Sequence, residues 1–142
     1  MANAKDAVNK IWTGLHKAVY NVSKGRVAGK AFGMPVVQLT TIGRKSGEPR
    51  TTMLTTPVHD DSSLVLVASY GGDDREPAWC LNLRSNPKVT ITMKGRTREM
   101  TARIATDDEK ADLWPQITKA YKGYAGYQEK TDRNIPVVIV EE

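Results

Sequence analysis

The sequence predicts an α+β fold in which a small antiparallel barrel, or a curled sheet, carries helices on its outside. Three observations predict it. Segments with strand-like patterning follow one another through short turns, which is typical of antiparallel pairing. Other segments show helical spacing of apolar residues or helix-capping residues. The chain has 142 residues, a length that favours one domain with a core of its own.

The predicted strands share β-branched or alternating apolar residues between turn signals. They are residues 35–42, 50–58, 64–69, 88–93, 96–104 and 135–140. The third of them, LVLVAS, is almost wholly apolar, so we expect it to be buried on both faces. Lys94 and Gly95 join the fourth and fifth strands in a tight hairpin turn.

Helices are predicted between these strands. A short helix over residues 78–86 ends at Asn86 and Pro87. A capping box, Thr106 with Glu109, begins a longer helix that runs to about residue 121. Pro115 should kink or split that helix, because proline removes a backbone donor.

The net charge of +5 lies entirely in residues 1–31, which hold six basic residues and one acidic residue. Within this part, apolar residues of 5–24 recur at helical spacing and lysines repeat every seven residues on the opposite face. We therefore divide the chain into a basic amphipathic N-terminal arm, residues 1–31, and a body, residues 32–142. The arm could pack on the body or lie on an anionic membrane, and both alternatives stay open.

The turn GRKSGEPR, residues 43–50, is basic beyond what a connection needs. Gly43 and Gly47 let a ligand approach the backbone, and exposed N–H groups in such a turn form a concavity for anions. Further donors are Arg44, Lys45, Ser46 and Arg50. The turn predicts a site for phosphate or carboxylates, with a solvated basic hairpin turn as the alternative.

A second polar stretch, SYGGDDREPAWCLNL, follows the apolar strand. Ser69, Gly71 and Gly72 again offer a close approach to the backbone, and Trp79 and Asn82 lie one helical turn apart. An indole, an amide and a glycine loop suit a planar heterocycle with polar edges. The alternative for Trp79 is packing in the core.

Three tyrosines, Tyr121, Tyr124 and Tyr127, follow one another at a spacing of three residues. They either pack against the barrel or form a wall of hydroxyls over a bound ring. Because a free phenol titrates near 10, such a tyrosine would act as an acid at neutral pH.

Other functions find little support in the sequence. His16, His59 and Cys80 have no partners at metal-ligand spacing, so we predict no metal. One cysteine permits no internal disulfide, which favours a cytoplasmic location. No apolar run approaches the roughly 20 residues of a membrane span. The body holds equal numbers of basic and acidic residues, which argues against binding of nucleic acid.

Four stretches in this order, LTTIGRKSGEPRTTML, VASYGG, EPAWCLNLRSNPKV and YQEKTDRNIPVVIV, resemble the deazaflavin-dependent nitroreductase family. The resemblance runs from about residue 36 to the C-terminus. It implies a small antiparallel split β-barrel of about six strands with flanking helices, and it makes the body a cofactor-binding domain. It also implies a two-electron reductase in which hydride passes from reduced coenzyme F420, an 8-hydroxy-5-deazaflavin, to a quinone, an activated alkene or enone, or a nitro compound.

The resemblance assigns roles to particular residues. The phosphate and oligoglutamate tail of the cofactor would contact Arg44, Lys45, Ser46, Gly47 and Arg50. Backbone groups would border the ring at Thr51, Thr52, Met53 and Leu54. The other side of the ring would be lined by Val67, Ala68, Ser69, Gly71, Gly72, Ala78, Trp79 and Asn82. Tyr124 would also contact the cofactor, and the acceptor would meet Tyr121, Tyr124 and Tyr127.

Of these residues, Tyr124, Tyr127 and Ser69 are the predicted catalytic groups. Tyr124 or solvent would supply the proton, and Ser69 would position the acceptor oxygen. Two alternatives remain: a non-catalytic F420 carrier, and an FMN-dependent oxidoreductase on a related barrel. The predicted partner is a small-molecule electron acceptor. We expect a monomer or weak dimer in the cytoplasm, with contact of residues 1–31 to the inner face of the cell membrane as an open alternative.

Overall fold

A computed structural model describes residues 33–142 and the backbone of Lys30 and Ala31. In this part of the chain, eight strands form one curled antiparallel sheet. The strands are β1 (Lys30–Ala31), β2 (Met34–Ile42), β3 (Pro49–Thr55), β4 (Val58–His59), β5 (Ser63–Val67), β6 (Lys88–Met93), β7 (Arg96–Ile104) and β8 (Val137–Glu141). The helices are α1 (Ala78–Ser85), α2 (Asp107–Ala120) and α3 (Gly123–Glu129), and a 3-10 turn covers Tyr70–Gly72.

The sheet is a barrel with an opening in its wall. Its order is β1-β2-β6-β7-β8-β5-β4, and β3 pairs with β2. Within the described ladders, β3 and β5 do not pair with each other, so the barrel is split between them. The Thr56 hydroxyl lies at one end of the split and donates to the Val65 carbonyl at 2.7 Å. The predicted α+β class and split β-barrel are confirmed, with six longer strands and two strands of two residues.

Two apolar clusters hold the fold together, one on each face of β5. Leu64 and Leu66 belong to the cluster inside the barrel, which α1 covers with Cys80. Val65 and Val67 belong to the cluster on the other face, which also contains Ile117 of α2 and Tyr124 of α3. The prediction that this strand is buried on both faces is confirmed. Each fully buried Leu or Ile contributes roughly 1.5–3 kcal/mol.

The predicted capping box opens α2. The Glu109 N–H donates to the Thr106 hydroxyl at 3.2 Å, and the Thr106 N–H donates to a Glu109 carboxylate oxygen at 2.9 Å. α2 is continuous through Pro115, so the predicted split of this helix is wrong, whereas the alternative of a kink stays a prediction. Pro115 and Ala111, whose carbonyl loses its helical partner, both lie on the exposed face. Water can therefore satisfy that carbonyl.

Strand boundaries differ from the prediction at two places. The segment predicted as one strand over 50–58 divides at Thr56 and Pro57, where the chain leaves β2 and then pairs with β5 through β4. The third predicted strand ends at Val67, and residues 68 and 69 begin the loop. The hairpin at Lys94 and Gly95 has φ of 53° and 78° at its two turn residues, as in a type I′ turn.

Most of the predicted N-terminal arm, including the helix over 5–24, lies outside the described residues. Its last two residues, Lys30 and Ala31, form β1 and pair with Pro35 and Met34. Among the described helices, none is long and apolar enough to cross a membrane. No group of three or more His, Cys, Asp or Glu that could hold a metal ion occurs in residues 33–142.

Candidate functional site

The basic turn joins β2 to β3 and is closed by its own backbone. The Gly43 N–H donates to the Glu48 carbonyl at 2.8 Å, and the Gly47 N–H donates to the Gly43 carbonyl at 2.9 Å. Gly47 has φ of 71°, a conformation that favours glycine. Ser46 accepts from the Glu48 N–H at 3.1 Å and from Arg50 Nη2 at 3.2 Å. The turn is therefore wound tightly around the Ser46 hydroxyl.

The positive charges of the three cations in the turn are not neutralised by ion pairs with described residues. Arg44, Lys45 and Arg50 are all exposed, and none of them forms an ion pair with a described residue. Arginines elsewhere in the body, such as Arg84 with Glu76 and Arg103 with Glu109, are paired with carboxylates. Glu48 lies in the same turn but pairs with none of the three cations, so the turn keeps an excess of positive charge that suits an anionic group.

Asn82 on α1 anchors this turn. Its side-chain oxygen accepts from the Arg44 N–H at 3.2 Å and from Arg44 Nη1 at 3.0 Å. Its amide nitrogen donates to the Thr41 hydroxyl at 3.2 Å. Asn82 is only 4% exposed. The amide that we predicted as a cofactor contact is therefore engaged within the protein, where it fixes Arg44 relative to α1.

Strand β3 presents an open edge to the split. The Thr56 N–H donates to the Pro35 carbonyl, so Leu54 and Thr52 at alternate positions also direct their backbone groups to β2. The N–H and C=O of Thr51 and Met53 then face the other edge, with which no described strand pairs. Backbone contact with a ring is thus open at Thr51 and Met53, and not at Thr52 and Leu54.

The side chains of β3 divide between the two faces of the sheet. The Thr51 hydroxyl bonds the Thr40 hydroxyl at 2.9 Å, and Met53 packs against Val36. Leu54 packs on the cluster inside the barrel. Thr52 is half-buried.

The glycine loop, residues 68–76, follows β5 at the opposite side of the split. Ala68 is fully buried and Val67 nearly so, which leaves their backbones as the part that can line a ligand. Gly72 has φ of 81°, and a Cβ there would lie 2.9 Å from the Tyr127 carbonyl oxygen. The loop therefore packs directly on α3. The 3-10 turn places Tyr70 and Gly71 in the left-handed region, at φ of 47° and 64°.

Ser69 is the unusual residue of this loop. Five polar side chains are buried in the described part of the chain: Thr41, Thr56, Ser69, Asn82 and Thr131. Four of them have hydrogen-bond partners on the protein. The Ser69 hydroxyl, in a residue only 7% exposed, makes no hydrogen bond to any described residue. Buried hydroxyls normally have a partner, so this one is suited to a ligand.

The first turn of α1 contributes less than the sequence predicted. Ala78 is exposed at the beginning of the helix. Trp79 is half-buried and packs on the apolar cluster inside the barrel. Its neighbour Cys80 is fully buried, and burial raises the pKa of its thiol to about 12. Trp79 therefore packs at least in part on the core, which is the alternative that the sequence left open.

The three tyrosines form one cluster over the end of β3. Tyr121 and Tyr124 make an edge-to-face contact with ring centroids 5.2 Å apart, and Tyr127 lies 6.2 Å from both. The Tyr124 hydroxyl bonds the Thr55 hydroxyl at 3.3 Å, and the Tyr121 and Tyr127 hydroxyls are 3.2 Å apart. The predicted grouping on a helix or loop flank is what the structure shows, since α3 carries Tyr124 and Tyr127.

The hydroxyls of Tyr124 and Tyr127 have raised pKa values and are held in their protonated form. Burial raises the pKa of Tyr124 above its ordinary value, although the Thr55 hydrogen bond opposes this. Burial, together with the hydrogen bond to Tyr121, raises the pKa of Tyr127 to about 12. At neutral pH both phenols are therefore donors of hydrogen bonds or protons, as the sequence suggested.

Sequence reasoning missed Arg133, which lies between α3 and β8. Its Nε donates to the Asp73 carbonyl at 2.9 Å. Its Nη2 donates to the carbonyls of Ala68 and Ser69 at 3.1 and 2.9 Å. A single guanidinium thus contacts the glycine loop on both sides of its 3-10 turn. Its only sequence signal was its place within the fourth motif, YQEKTDRNIPVVIV.

These parts are brought together around the split. Asn82 joins the basic turn to α1, the glycine loop leads from β5 into α1, and the same loop packs on α3 through Gly72. The Tyr124 hydroxyl on α3 forms a hydrogen bond with the Thr55 hydroxyl at the end of β3. A cationic turn, an open strand edge, a glycine loop and a hydroxyl cluster follow one another in this order around the split and together make up the candidate site.

Comparison with known proteins places this site in a family. The model of the F420H(2)-dependent quinone reductase family matches residues 12–142. An F420H(2)-dependent quinone reductase of Mycobacterium tuberculosis is 38% identical over 130 residues, which cover 89% of this chain and 87% of that protein.

Solved structures agree with this. The structure of the F420-H2 dependent reductase FDR-A has a TM-score of 0.68 and 41% identity, covering 75% of this chain and 94% of that chain. A structure described as a domain-swapped dimer has a TM-score of 0.71 and 34% identity, covering 93% of this chain and 98% of that chain.

The fold and site define a split-barrel reductase. Because the family model spans most of its length, the chain belongs to the F420H(2)-dependent quinone reductase family. The predicted resemblance, the oxidoreductase class, the reductase function and coenzyme F420 as cofactor are confirmed. The roles of individual residues stay predictions.

Proposed function

We propose that this reductase acts on a quinone, with the deazaflavin ring held in the split between β3 and β5. One observation carries the proposal. The unpaired cations of the basic turn and the hydroxyl cluster at Tyr124 lie at opposite ends of β3. From Arg50 to Thr55 the strand extends about 17 Å, at about 3.3 Å per residue. An elongated cofactor with an anionic tail and a flat ring needs such a separation.

The residues present fit this cofactor. Arg44, Lys45 and Arg50 are free of acidic partners among the described residues, as a phosphate and an oligoglutamate tail require. Ser46 and Gly47 complete the turn. Each charged hydrogen bond contributes roughly 1.5–3 kcal/mol, whereas association costs on the order of 4–15 kcal/mol. The tail alone therefore binds weakly, and burial of the ring has to supply the remaining affinity.

The ring is proposed to lie between the two sides of the split. On one side, Thr51 and Met53 offer the N–H and C=O groups of the open strand edge. On the other side lie the backbones of residues 67–72. Ser69 offers its unpaired hydroxyl there. Asn82 and Trp79 support this wall from α1, Asn82 through its bonds to Arg44.

At the acceptor end, the tyrosine cluster is proposed to bind a quinone oxygen. Reduced F420, when bound, supplies the hydride. Tyr124 and Tyr127 keep their protons because their pKa values are raised, so both can donate to an oxygen that gains negative charge. Ser69 would orient the acceptor, and Tyr124 or solvent would supply the proton. The protein mainly holds donor and acceptor in reactive geometry.

Two lines support a quinone over the other acceptors. The family description and the M. tuberculosis relative both name quinone reductase activity. A quinone also presents carbonyl oxygens, which the hydroxyl donors of the tyrosine cluster match.

The test is turnover of the purified full chain with F420H2 and a soluble quinone, menadione, followed by recovery of the oxidised deazaflavin's absorbance. Cyclohexenone and a nitroarene serve as competing acceptors. We expect kcat/KM for menadione to exceed those for the other two by at least about tenfold. Saturable F420 binding without turnover of any acceptor would support the carrier alternative, and absence of F420 binding at micromolar protein would contradict the proposed site.

The variant Tyr124→Phe removes the hydroxyl and keeps the aromatic ring, so it tests the role of the hydroxyl alone. Loss of a general acid typically costs 10²–10⁴-fold, and solvent can replace part of it, so we expect kcat to fall about 10–100-fold. The F420 dissociation constant should stay within about threefold. Thr97→Val, which removes an exposed hydroxyl bonded to Thr92 on β6, is the matched control. Equal kcat in Tyr124→Phe and the control would remove Tyr124 from the mechanism.

Two predicted associations stay predictions. One similar structure is a domain-swapped dimer, so a monomer or weak dimer should be distinguished by light scattering over a range of concentrations. Peripheral contact of residues 1–31 with an anionic membrane rests on their six basic residues. Sedimentation with anionic and neutral liposomes, with and without residues 1–31, tests it.

A further inference from the structure

Arg133 contacts the glycine loop in a way that the family's motifs did not suggest. Its guanidinium donates to three carbonyls of that loop, those of Ala68, Ser69 and Asp73. Two of these carbonyls belong to consecutive peptide groups. The third carbonyl, that of Asp73, follows the 3-10 turn. The guanidinium of Arg133 therefore bonds the backbone on both sides of this turn. Only an arginine offers donors in such a fixed fork.

This contact fixes the direction of two backbone N–H groups. In a trans peptide the C=O and N–H bonds point in opposite directions. Because the carbonyls of Ala68 and Ser69 point at Arg133, the N–H groups of Ser69 and Tyr70 point to the side of the loop that faces away from it. Arg133 and α3 lie behind the loop, where Gly72 packs on Tyr127. The opposite side is the one that we assign to the split.

The charge of Arg133 reinforces this arrangement. The guanidinium forms no ion pair with a described residue. Its third nitrogen, Nη1, is buried without a hydrogen-bond partner among the described residues. Among the described residues, its positive charge is met by the negative ends of three peptide dipoles. Those dipoles direct their positive ends away from Arg133, and fixed dipoles of this kind stabilise negative charge that develops in front of them.

Ser69 provides an independent sign that a ligand lies there. It belongs to both oriented peptide groups, and it is the one residue among the five buried polar residues of the described chain whose side chain forms no hydrogen bond there. A loop held in place by a half-buried cation, with an unpaired hydroxyl beside the contact, is the arrangement expected of a preorganised donor site.

We propose that Arg133 is a positioning residue, which holds the Ser69 N–H and hydroxyl in place as a donor pair for the acceptor oxygen that becomes negative on reduction. Arg133 acts through the loop and does not touch the acceptor. The inference rests on the proposed function, because it assumes that the split holds the reacting groups.

Three variants test it: Arg133→Gln, Arg133→Lys, and Arg103→Gln as the matched control. Arg103 is exposed and pairs with Glu109 and Glu141 away from the loop. The first measurement is amide hydrogen exchange of the cofactor-free protein. For Arg133→Gln we expect exchange in residues 68–75 to become at least tenfold faster, with β6 and β7 unchanged. The control should leave exchange in residues 68–75 at the wild-type rate.

The second measurement separates positioning from folding. At saturating F420H2 and menadione, at a temperature where every variant is folded, kcat of Arg133→Gln should fall at least tenfold, while its F420 dissociation constant changes less than threefold. Arg133→Lys keeps a donor to some of the carbonyls and should recover part of kcat. If Arg133→Gln does not fold, Arg133→Lys carries the test, with a smaller decrease in kcat and faster exchange confined to residues 68–75.

The proposal is overturned if kcat is unchanged in the Arg133 variants, if exchange rises throughout the sheet, or if kcat and cofactor affinity fall together. If the wild-type protein binds F420 but reduces no quinone, the proposed function fails. The exchange experiment then still decides whether Arg133 holds the loop, so the two failures can be told apart.

Discussion

The carboxamide oxygen of Asn82 accepts two hydrogen bonds from Arg44, one from the backbone N–H at 3.2 Å and one from Nη1 at 3.0 Å. Asn82 also donates to the buried Thr41 hydroxyl. One buried side chain on α1 thus fixes a cation of the basic turn and satisfies a polar group of β2. Asn82 is therefore better described as a support of the cofactor site than as a direct contact.

Replacing Asn82 by alanine should reduce both stability and cofactor binding. A buried hydroxyl left without a partner costs about 1–3 kcal/mol, so the free energy of unfolding in urea should fall by that amount. Release of Arg44 should raise the F420 dissociation constant about 3–10-fold in a fluorescence titration. Asn86→Ala, which removes only an exposed bond to the Lys88 N–H, is the control. Unchanged affinity in Asn82→Ala would show that Arg44 needs no support from α1.

The charge of the basic turn should appear in the salt dependence of cofactor binding. Lys45 is exposed and has no ion-pair partner among the described residues. Exposed charge pairs contribute up to about 1 kcal/mol, so Lys45→Ala should weaken F420 binding about 3–5-fold at low salt. The difference should shrink at high salt, where the charges are screened. Lys119→Ala, on the exposed face of α2, should have no effect. A salt-independent loss would point to a packing role for Lys45.

The sequence predicted the elements well because their signals are local. Alternating residues, the Lys94-Gly95 turn and the capping box at Thr106 each depend on neighbours within a few positions, and each is present as expected. The prediction that Pro115 could split α2 was wrong because the cost of a proline within a helix depends on solvent exposure, which a local pattern does not reveal. On the solvated face of α2, water can bind the Ala111 carbonyl that Pro115 leaves without a helical hydrogen bond.

The site could be predicted only in part. The four motifs indicated which segments carry it, but not which atoms remain available. Long-range contacts decide that: Asn82 is engaged by Arg44 and Thr41, whereas the Ser69 hydroxyl has no hydrogen-bond partner among the described residues. The open backbone groups of Thr51 and Met53 follow from the pairing of β3 with β2. Arg133 was missed because it contacts residues 60 or more positions earlier in the chain.

Acid should destabilise the protein partly through Glu109. Hydrogen bonds from Arg103 and the Thr106 N–H lower its pKa from 4.5 to about 2. Between these two values the unfolded state binds a proton that the folded state does not, so stability falls as the pH drops through this range. Thermal unfolding measured from pH 6 to pH 2.5 should show a smaller loss in midpoint for Glu109→Gln than for the wild type. Glu99→Gln, an exposed position on β7, should follow the wild type, and parallel curves for all three proteins would contradict the assignment.

Gly72 and Gly126 offer a matched pair for the contact between the glycine loop and α3. A Cβ at Gly72 would lie 2.9 Å from the Tyr127 carbonyl oxygen and 3.0 Å from the Lys130 Cβ, at φ of 81°, whereas a Cβ at Gly126 would meet nothing within 4 Å. Because a left-handed conformation alone costs a side chain about 1–2 kcal/mol, Gly72→Ala should lower the free energy of unfolding by about 2–3 kcal/mol. It should also reduce kcat, since the loop has to move away from the tyrosine cluster. Gly126→Ala lies within α3 and should be neutral or stabilise the protein by up to about 1 kcal/mol. Urea unfolding and turnover of both variants check this, and a Gly72→Ala protein with wild-type stability and kcat would show that the loop does not depend on its packing against α3.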